Sequence, residues 1–120
     1  MNPISILYKI AKKFLMKKGD IVLLPFPYTD LSGYKFRPSV ILLSTPLSYI
    51  VAFVTSKIYT TEQFDISIMP DKSNGLKLPS LIRLNKIATI DKSLAKGMLG
   101  KVSDSIIDNI QSELKKMFNL

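Results

Sequence analysis

The stretch Lys18–Ser44 constrains the fold of this chain more than any other. It holds two apolar runs, Ile21-Val22-Leu23-Leu24 and Val40-Ile41-Leu42-Leu43, separated by a polar segment containing Asp30, Ser32 and Gly33. The first run is continuous and β-branched at its start, the pattern of a strand buried on both faces. The pattern predicts a strand over Asp20–Phe26, a turn-rich loop over Tyr28–Phe36 and a second strand over Pro38–Leu43. Pro25 and Pro27 are expected to end pairing of the first strand, because proline has no N–H to give to a ladder. Arg37 stands between the loop and the second strand, and Pro38 biases its backbone toward an extended conformation.

The rest of the chain continues in short strands. Tyr49–Thr55 alternates, with Ile50, Ala52 and Val54 on one face and Val51, Phe53 and Thr55 on the other. A polar connection, 57–63, leads to an alternating strand over Phe64–Met69. A loop around Asn74-Gly75 follows, then a strand over Ser80–Ile90 whose two faces are both mixed, as on the wall of a wet groove. Asp91 is placed to cap a helical turn through Ala95, and Gly97–Val102 reads as a short strand. The clearest helix comes last. Ser103 is a good N-cap, Asp104 suits the positive end of the dipole, and Ile106, Ile107, Ile110, Leu114, Met117 and Phe118 form one stripe. Residues 4–17 space Ile6/Leu7, Ile10/Ala11 and Phe14/Leu15 as a basic amphipathic helix, a candidate membrane-surface or partner-docking segment or a simple packing element. The expectation is an N-terminal extension over 1–17 and one domain over 18–120. The fold class is mainly β with α: a small, bent antiparallel barrel with a C-terminal helix and an N-terminal helical extension.

Composition narrows the chemistry. The 120 residues include no cysteine and no histidine. That excludes a disulfide framework, a thiolate zinc site and any histidine-based triad, so no metal or cofactor is expected. Chemistry must rest on arginine, lysine, carboxylates and hydroxyls. The net charge of +8 is unevenly spread. Residues 1–18 contribute +5 with no acid, and residues 19–120 only +3, although 71–101 carry a local +5. A polyanionic partner fits this pattern, and so does a solvated lysine-rich surface. No apolar run reaches the roughly 20 residues of a membrane span, and apolar residues and lysines interleave at the N-terminus, so a cytoplasmic protein is expected.

Four pieces in order resemble the MazF/PemK toxins of bacterial toxin–antitoxin pairs. They are Gly19-Asp20-Ile21-Val22, Thr29-Asp30-Leu31-Ser32-Gly33, Arg37-Pro38 and Val54-Thr55-Ser56-Lys57. The stretch Ser80–Asp91 and the terminal helix extend the match to about residues 18–118. The resemblance implies an SH3-like barrel, a homodimer, and metal-independent cleavage of single-stranded RNA to a 2′,3′-cyclic phosphate and a 5′-hydroxyl. It also implies a cognate antitoxin whose acidic segment lies across the RNA groove. Carried over, the catalytic pair is Arg37 and Thr55. The sequence departs from the family at its N-terminal extension and at Lys57, where many members have another polar residue.

The residue types suit that chemistry. Arg37 can offer two N–H donors to phosphoryl oxygens in fork geometry. Thr55 and Ser56 can hold a non-bridging oxygen or the 2′-hydroxyl. Tyr34 can stack on a base, and Lys35, Lys57, Asn85 and Lys86 can contact phosphates or bases. The structural alternative for Arg37 is an ion pair with Asp20 or Asp30. The alternative functions are a non-catalytic SH3-like binding module and a topoisomerase (gyrase) poison on the same fold.

Overall fold

The computed structural model describes residues 16–27, 30 and 32–120; the amphipathic segment expected over 4–17 therefore falls almost entirely outside the described residues. Six strands, β1 (Asp20–Pro27), β2 (Tyr34–Ser44), β3 (Ser48–Thr55), β4 (Asp65–Ile68), β5 (Ser80–Asp91) and β6 (Gly97–Lys101), form one antiparallel sheet. Their spatial order is β4-β5-β3-β2-β1-β6. Register shifts in the β1–β6, β2–β3 and β3–β5 pairs let the sheet curl into a half-barrel. The expected bent barrel with a C-terminal helix is the fold found.

Both faces of the curled sheet are buried, which explains the continuous apolar runs. On one face Ile21, Val40, Ala52, Val54, Ile82 and Leu84 pack together beneath the helix α1 (Asp104–Phe118). Ile110 is the helix residue driven deepest, and burying a side chain of that size contributes about 1.5–3 kcal/mol. On the other face Val22, Leu24, Ile41, Tyr49 and Val51 pack with Met16 and Ala95. Neighbours along a strand thus belong to different clusters, as a two-residue period demands.

Several boundaries differ from the sequence reading. β1 runs through Pro25 and Pro27, which pair in register with Phe36 and Tyr34 of β2. The β1–β6 pairing ends at Leu23↔Gly97, so beyond Leu23 one side of β1 is an open edge, where proline's missing N–H costs no ladder bond. With this partner alongside, β2 starts at Tyr34, earlier than expected, and Arg37 lies inside a strand instead of at its mouth. The mixed faces of β5 have a simple cause. Phe53 pairs with Arg83 while Ala52 pairs with Ile87, so residues 84–86 have no partner on β3 and the alternation changes phase, with Leu84 still packed in the core and Asn85 and Lys86 exposed.

The end signals act as their chemistry predicts. The side chain of Ser103 accepts from the Ile106 N–H at 3.3 Å. Asn119 closes the helix in the left-handed region at φ 55°. Asp91 accepts from the Ser93 N–H at 2.8 Å and caps a 3₁₀ turn, Lys92–Leu94. Among the described residues, no helix is long and apolar enough to cross a membrane.

Candidate functional site

Arg37 and Thr55 lie near the same end of the neighbouring strands β2 and β3. β2 and β3 pair antiparallel with Val40 opposite Ala52 and Ser39 opposite Phe53. The β2–β3 pairing ends there: two residues further along each strand, Arg37 pairs with Leu24 of β1 and Thr55 with Leu81 of β5. Both also share the face of Ile41 and Val51, because each lies an even number of residues from them. Thr55 is half-buried, and its Oγ1 accepts from the Lys57 N–H at 3.1 Å. That bond closes the turn after β3 and leaves the Thr55 hydroxyl proton available to a ligand.

A cavity of about 250 Å³ opens at this end of the sheet. Four consecutive residues of β2, Lys35 to Pro38, reach it, and Val54 and Ser56 reach it from β3. Its far wall is the loop between β4 and β5, through Leu76, Lys77 and Leu78. The cavity thus gathers Lys35, Arg37 and Ser56 from the residues singled out in the sequence. Thr55 lies between two lining residues but is not itself one. Tyr34, Lys57, Asn85 and Lys86 also lie outside the lining, all of them solvent-exposed. Asn85 and Lys86 stand in the β5 bulge. Tyr34 flanks the cavity through Phe36, whose ring it meets edge-on at 5.6 Å, and Lys96 Nζ sits 4.5 Å from the centre of the same Phe36 ring.

Among the described residues, three cations, Lys35, Arg37 and Lys77, line this cavity, and no carboxylate does. Ion pairs join Arg83 to Glu62 and Asp65, and Lys116 to Glu113. Neither acid considered as a structural partner for Arg37 takes that role. Asp20 accepts from the Lys17 N–H at 2.9 Å, and Asp30 accepts from the Ser32 hydroxyl and N–H at 2.7 and 3.0 Å. Those two bonds, the side-chain one foremost, hold the Asp30 carboxyl below its usual range. The positive charge at the cavity is therefore unopposed and suited to an anion.

Arg83 does carry a structural role. Its Nη2 donates to the Thr60 carbonyl at 2.7 Å and reaches Asp65 at 3.3 Å, tying the connection after Thr55 to β5. Its Nε lies 3.2 Å from Glu62 Oε2 without hydrogen-bond alignment, so that contact is electrostatic only. Sequence reasoning passed over Lys77; the turn residues Asp71, Asn74 and Gly75 and the local excess of charge over 71–101 were the signals for it. Among the described residues, no cluster of acids is placed to hold a metal ion.

Comparison with solved structures shows where this fold has been seen. The Mycobacterium tuberculosis toxin MazF-mt6 matches at 20% identity and TM-score 0.66, over 84% of this chain and 97% of its own. A mycobacterial endoribonuclease in complex with its cognate antitoxin matches at 16% identity and TM-score 0.68, over 88% and 96%. The MazE–MazF complex of Deinococcus radiodurans matches at 16% identity and TM-score 0.71, over 88% and 97%. These likenesses establish the fold. No curated protein gives a significant match to the sequence. A family model does, over residues 17–118, a span that holds the whole sheet, the cavity and the terminal helix. On that match the chain belongs to the PemK-like, MazF-like toxins of type II toxin–antitoxin systems.

Proposed function

We propose that this chain is a toxin that acts as a metal-independent endoribonuclease on single-stranded RNA, blocking translation and growth. The observation that carries the reading is the trio of cations, without an acid among the described lining residues, at a cavity that brings Arg37 and Ser56 together. In the reaction, the 2′-oxygen attacks phosphorus and the bond from phosphorus to the 5′-oxygen breaks. The 2′-hydroxyl gives up its proton, the 5′-oxygen gains one, and the products are a 2′,3′-cyclic phosphate and a 5′-hydroxyl. Arg37 places its N–H donors on the non-bridging oxygens as charge builds on the phosphorane. The planar guanidinium fork can offer two N–H donors to two oxygens at once. Thr55, with its proton still available, and Ser56 orient a non-bridging oxygen or the 2′-hydroxyl. Lys35 holds neighbouring phosphate, Tyr34 offers an aromatic face to a base, and Lys57, Asn85 and Lys86 make outer contacts.

The same cationic surface fits an acidic antitoxin segment, which would inhibit by covering the RNA site. The solved neighbours include a toxin–antitoxin complex of this kind, MazE–MazF. The toxin itself is assigned as a homodimer on family grounds. The decisive experiment incubates the protein with a long RNA in the presence of a chelator and maps the cut ends. Arg37→Ala should lose about 10²–10³ in cleavage rate, the cost of removing one preorganised donor, while folding normally. Cleavage by Arg37→Ala at the parent rate would overturn the assignment.

A further inference from the structure

The far wall of the cavity belongs to a loop that the reaction just described does not use. This loop, Pro70–Pro79, is pinned to β6 at close quarters. Gly75 has φ +68°, and a Cβ on it would collide with the Leu99 carbonyl. A Cβ on Gly100 would collide with the Ser73 carbonyl and the Asn74 main chain. The Lys101 N–H donates to the Ser73 carbonyl at 2.9 Å. Asn74 is buried and holds the turn from within: its Oδ1 accepts from the Asp71 and Leu76 N–H groups, and its Nδ2 donates to the Met69 carbonyl. On the other side, the Ser80 hydroxyl donates to the Leu78 carbonyl at 2.8 Å. Lys77 lies between these two anchors. Its side chain is exposed at the cavity and makes no ion pair among the described residues.

A surface lysine on a loose loop contributes little to recognition, because ordering it costs entropy. Here the backbone is already ordered. We propose that Lys77 is a further phosphate contact of the RNA site, on the wall opposite Lys35 and Arg37 and so on a phosphodiester other than the ones they hold, and that Asn74 is its positioning residue. The proposal rests on the RNA-cleaving reading above and extends it to substrate binding. Phosphates repeat along a strand, so a second cation on the opposite wall meets a neighbouring charge. The cavity, at about 250 Å³, falls below the roughly 300–1,000 Å³ of drug-sized ligand sites and suits one nucleotide unit of a longer chain. A compact ammonium, a point charge, binds ground state and transition state alike. Its loss should therefore raise KM and leave kcat unchanged.

The test measures binding of a labelled single-stranded RNA by fluorescence anisotropy over a salt series, beside cleavage kinetics. Lys77→Ala should weaken binding on the order of tenfold at low salt. It should also lower the slope of log affinity against log salt by about 0.7. Lys77→Arg should restore the slope. Asn74→Ala should weaken binding in the parent and have no further effect in the Lys77→Ala background. Parent-like affinity and slope in Lys77→Ala overturn the proposal. Loss of affinity for a poly-glutamate peptide with RNA binding intact does so too, because the cavity would then take a carboxylate-bearing partner. If the parent protein leaves RNA uncut, the cleavage reading fails, yet the salt slopes still decide whether Lys77 meets phosphate.

Discussion

Replacing Asn74 by alanine tests the anchoring of the 70–79 loop directly. Asn74 is 1% exposed. Its Oδ1 accepts from the N–H groups of Asp71 at 3.1 Å and Leu76 at 2.9 Å, and its Nδ2 donates to the Met69 carbonyl at 2.8 Å. Alanine removes all three bonds and strands two donors and an acceptor that are partly shielded from water. At roughly 1 kcal/mol each, the loss is about 3 kcal/mol, a large part of the roughly 5–15 kcal/mol that holds a domain folded. Urea unfolding followed by circular dichroism measures it. With a denaturant slope of about 1–3 kcal/mol/M, the midpoint should fall by about 1–3 M. Asn74→Asp keeps Oδ1 as an acceptor but sets a second oxygen against the Met69 carbonyl and buries a carboxylate, so it should not restore the stability lost in alanine. Amide exchange at Leu76 should quicken in Asn74→Ala, since its acceptor is gone. A stability change below about 0.5 kcal/mol for Asn74→Ala would refute the assignment of this side chain as the hub of the loop.

Two further outcomes follow from the packing. Gly100→Ala places a methyl group against the Ser73 and Asn74 main chain and should cost at least about 1–3 kcal/mol, with weaker RNA binding because the wall carrying Lys77 is displaced; parent-like stability by denaturant unfolding would show that β6 and the loop do not meet so closely. Burial, and then the Asp20 carboxylate charge, push the Tyr49 hydroxyl above its ordinary value near 10. The folded state then holds that proton more tightly than the unfolded chain, so its contribution is complete below about pH 10 and is lost as pH rises through the folded value. Tyr49→Phe should therefore flatten the fall of stability above about pH 10 relative to the parent, and two parallel alkaline limbs would contradict the assignment.

The local grammar of the chain is readable in its residues. Ser103, Asp104 and the Ile106–Met117 stripe specify the terminal helix, because capping and a 3.6-residue period act within a few residues of chain. Asp91 specifies its short turn for the same reason. The alternation in Tyr49–Thr55 identifies a strand and assigns Thr55 to the face of Val51, and the order of motifs from Gly19 to Lys57 points to the right family. Local signals misjudge β1 and β2. Pro25 and Pro27 read as terminators, yet the ladder continues, since whether a missing N–H matters depends on which side of the strand has a neighbour. Periodicity also could not foresee the bulge at 84–86, which changes the phase of β5 and leaves Asn85 and Lys86 away from the cavity.

The site itself divides the same way. By itself the sequence, through the resemblance of its ordered motifs, points to Arg37, Thr55 and Ser56 as candidate chemistry-bearing groups, and the absence of histidine and cysteine agrees with that. Tertiary structure decides which of them share a space. Arg37 of β2 and Ser56, just after β3, line one cavity, while Thr55 stands between two lining residues and is not part of the lining. Only the fold brings Lys77 to the same cavity as Lys35 and Arg37 and leaves the three without an acid beside them. That placement depends on the contacts of Gly75 and Gly100 with main chain across the loop–β6 junction, and such long-range steric fits leave no periodic trace in a sequence.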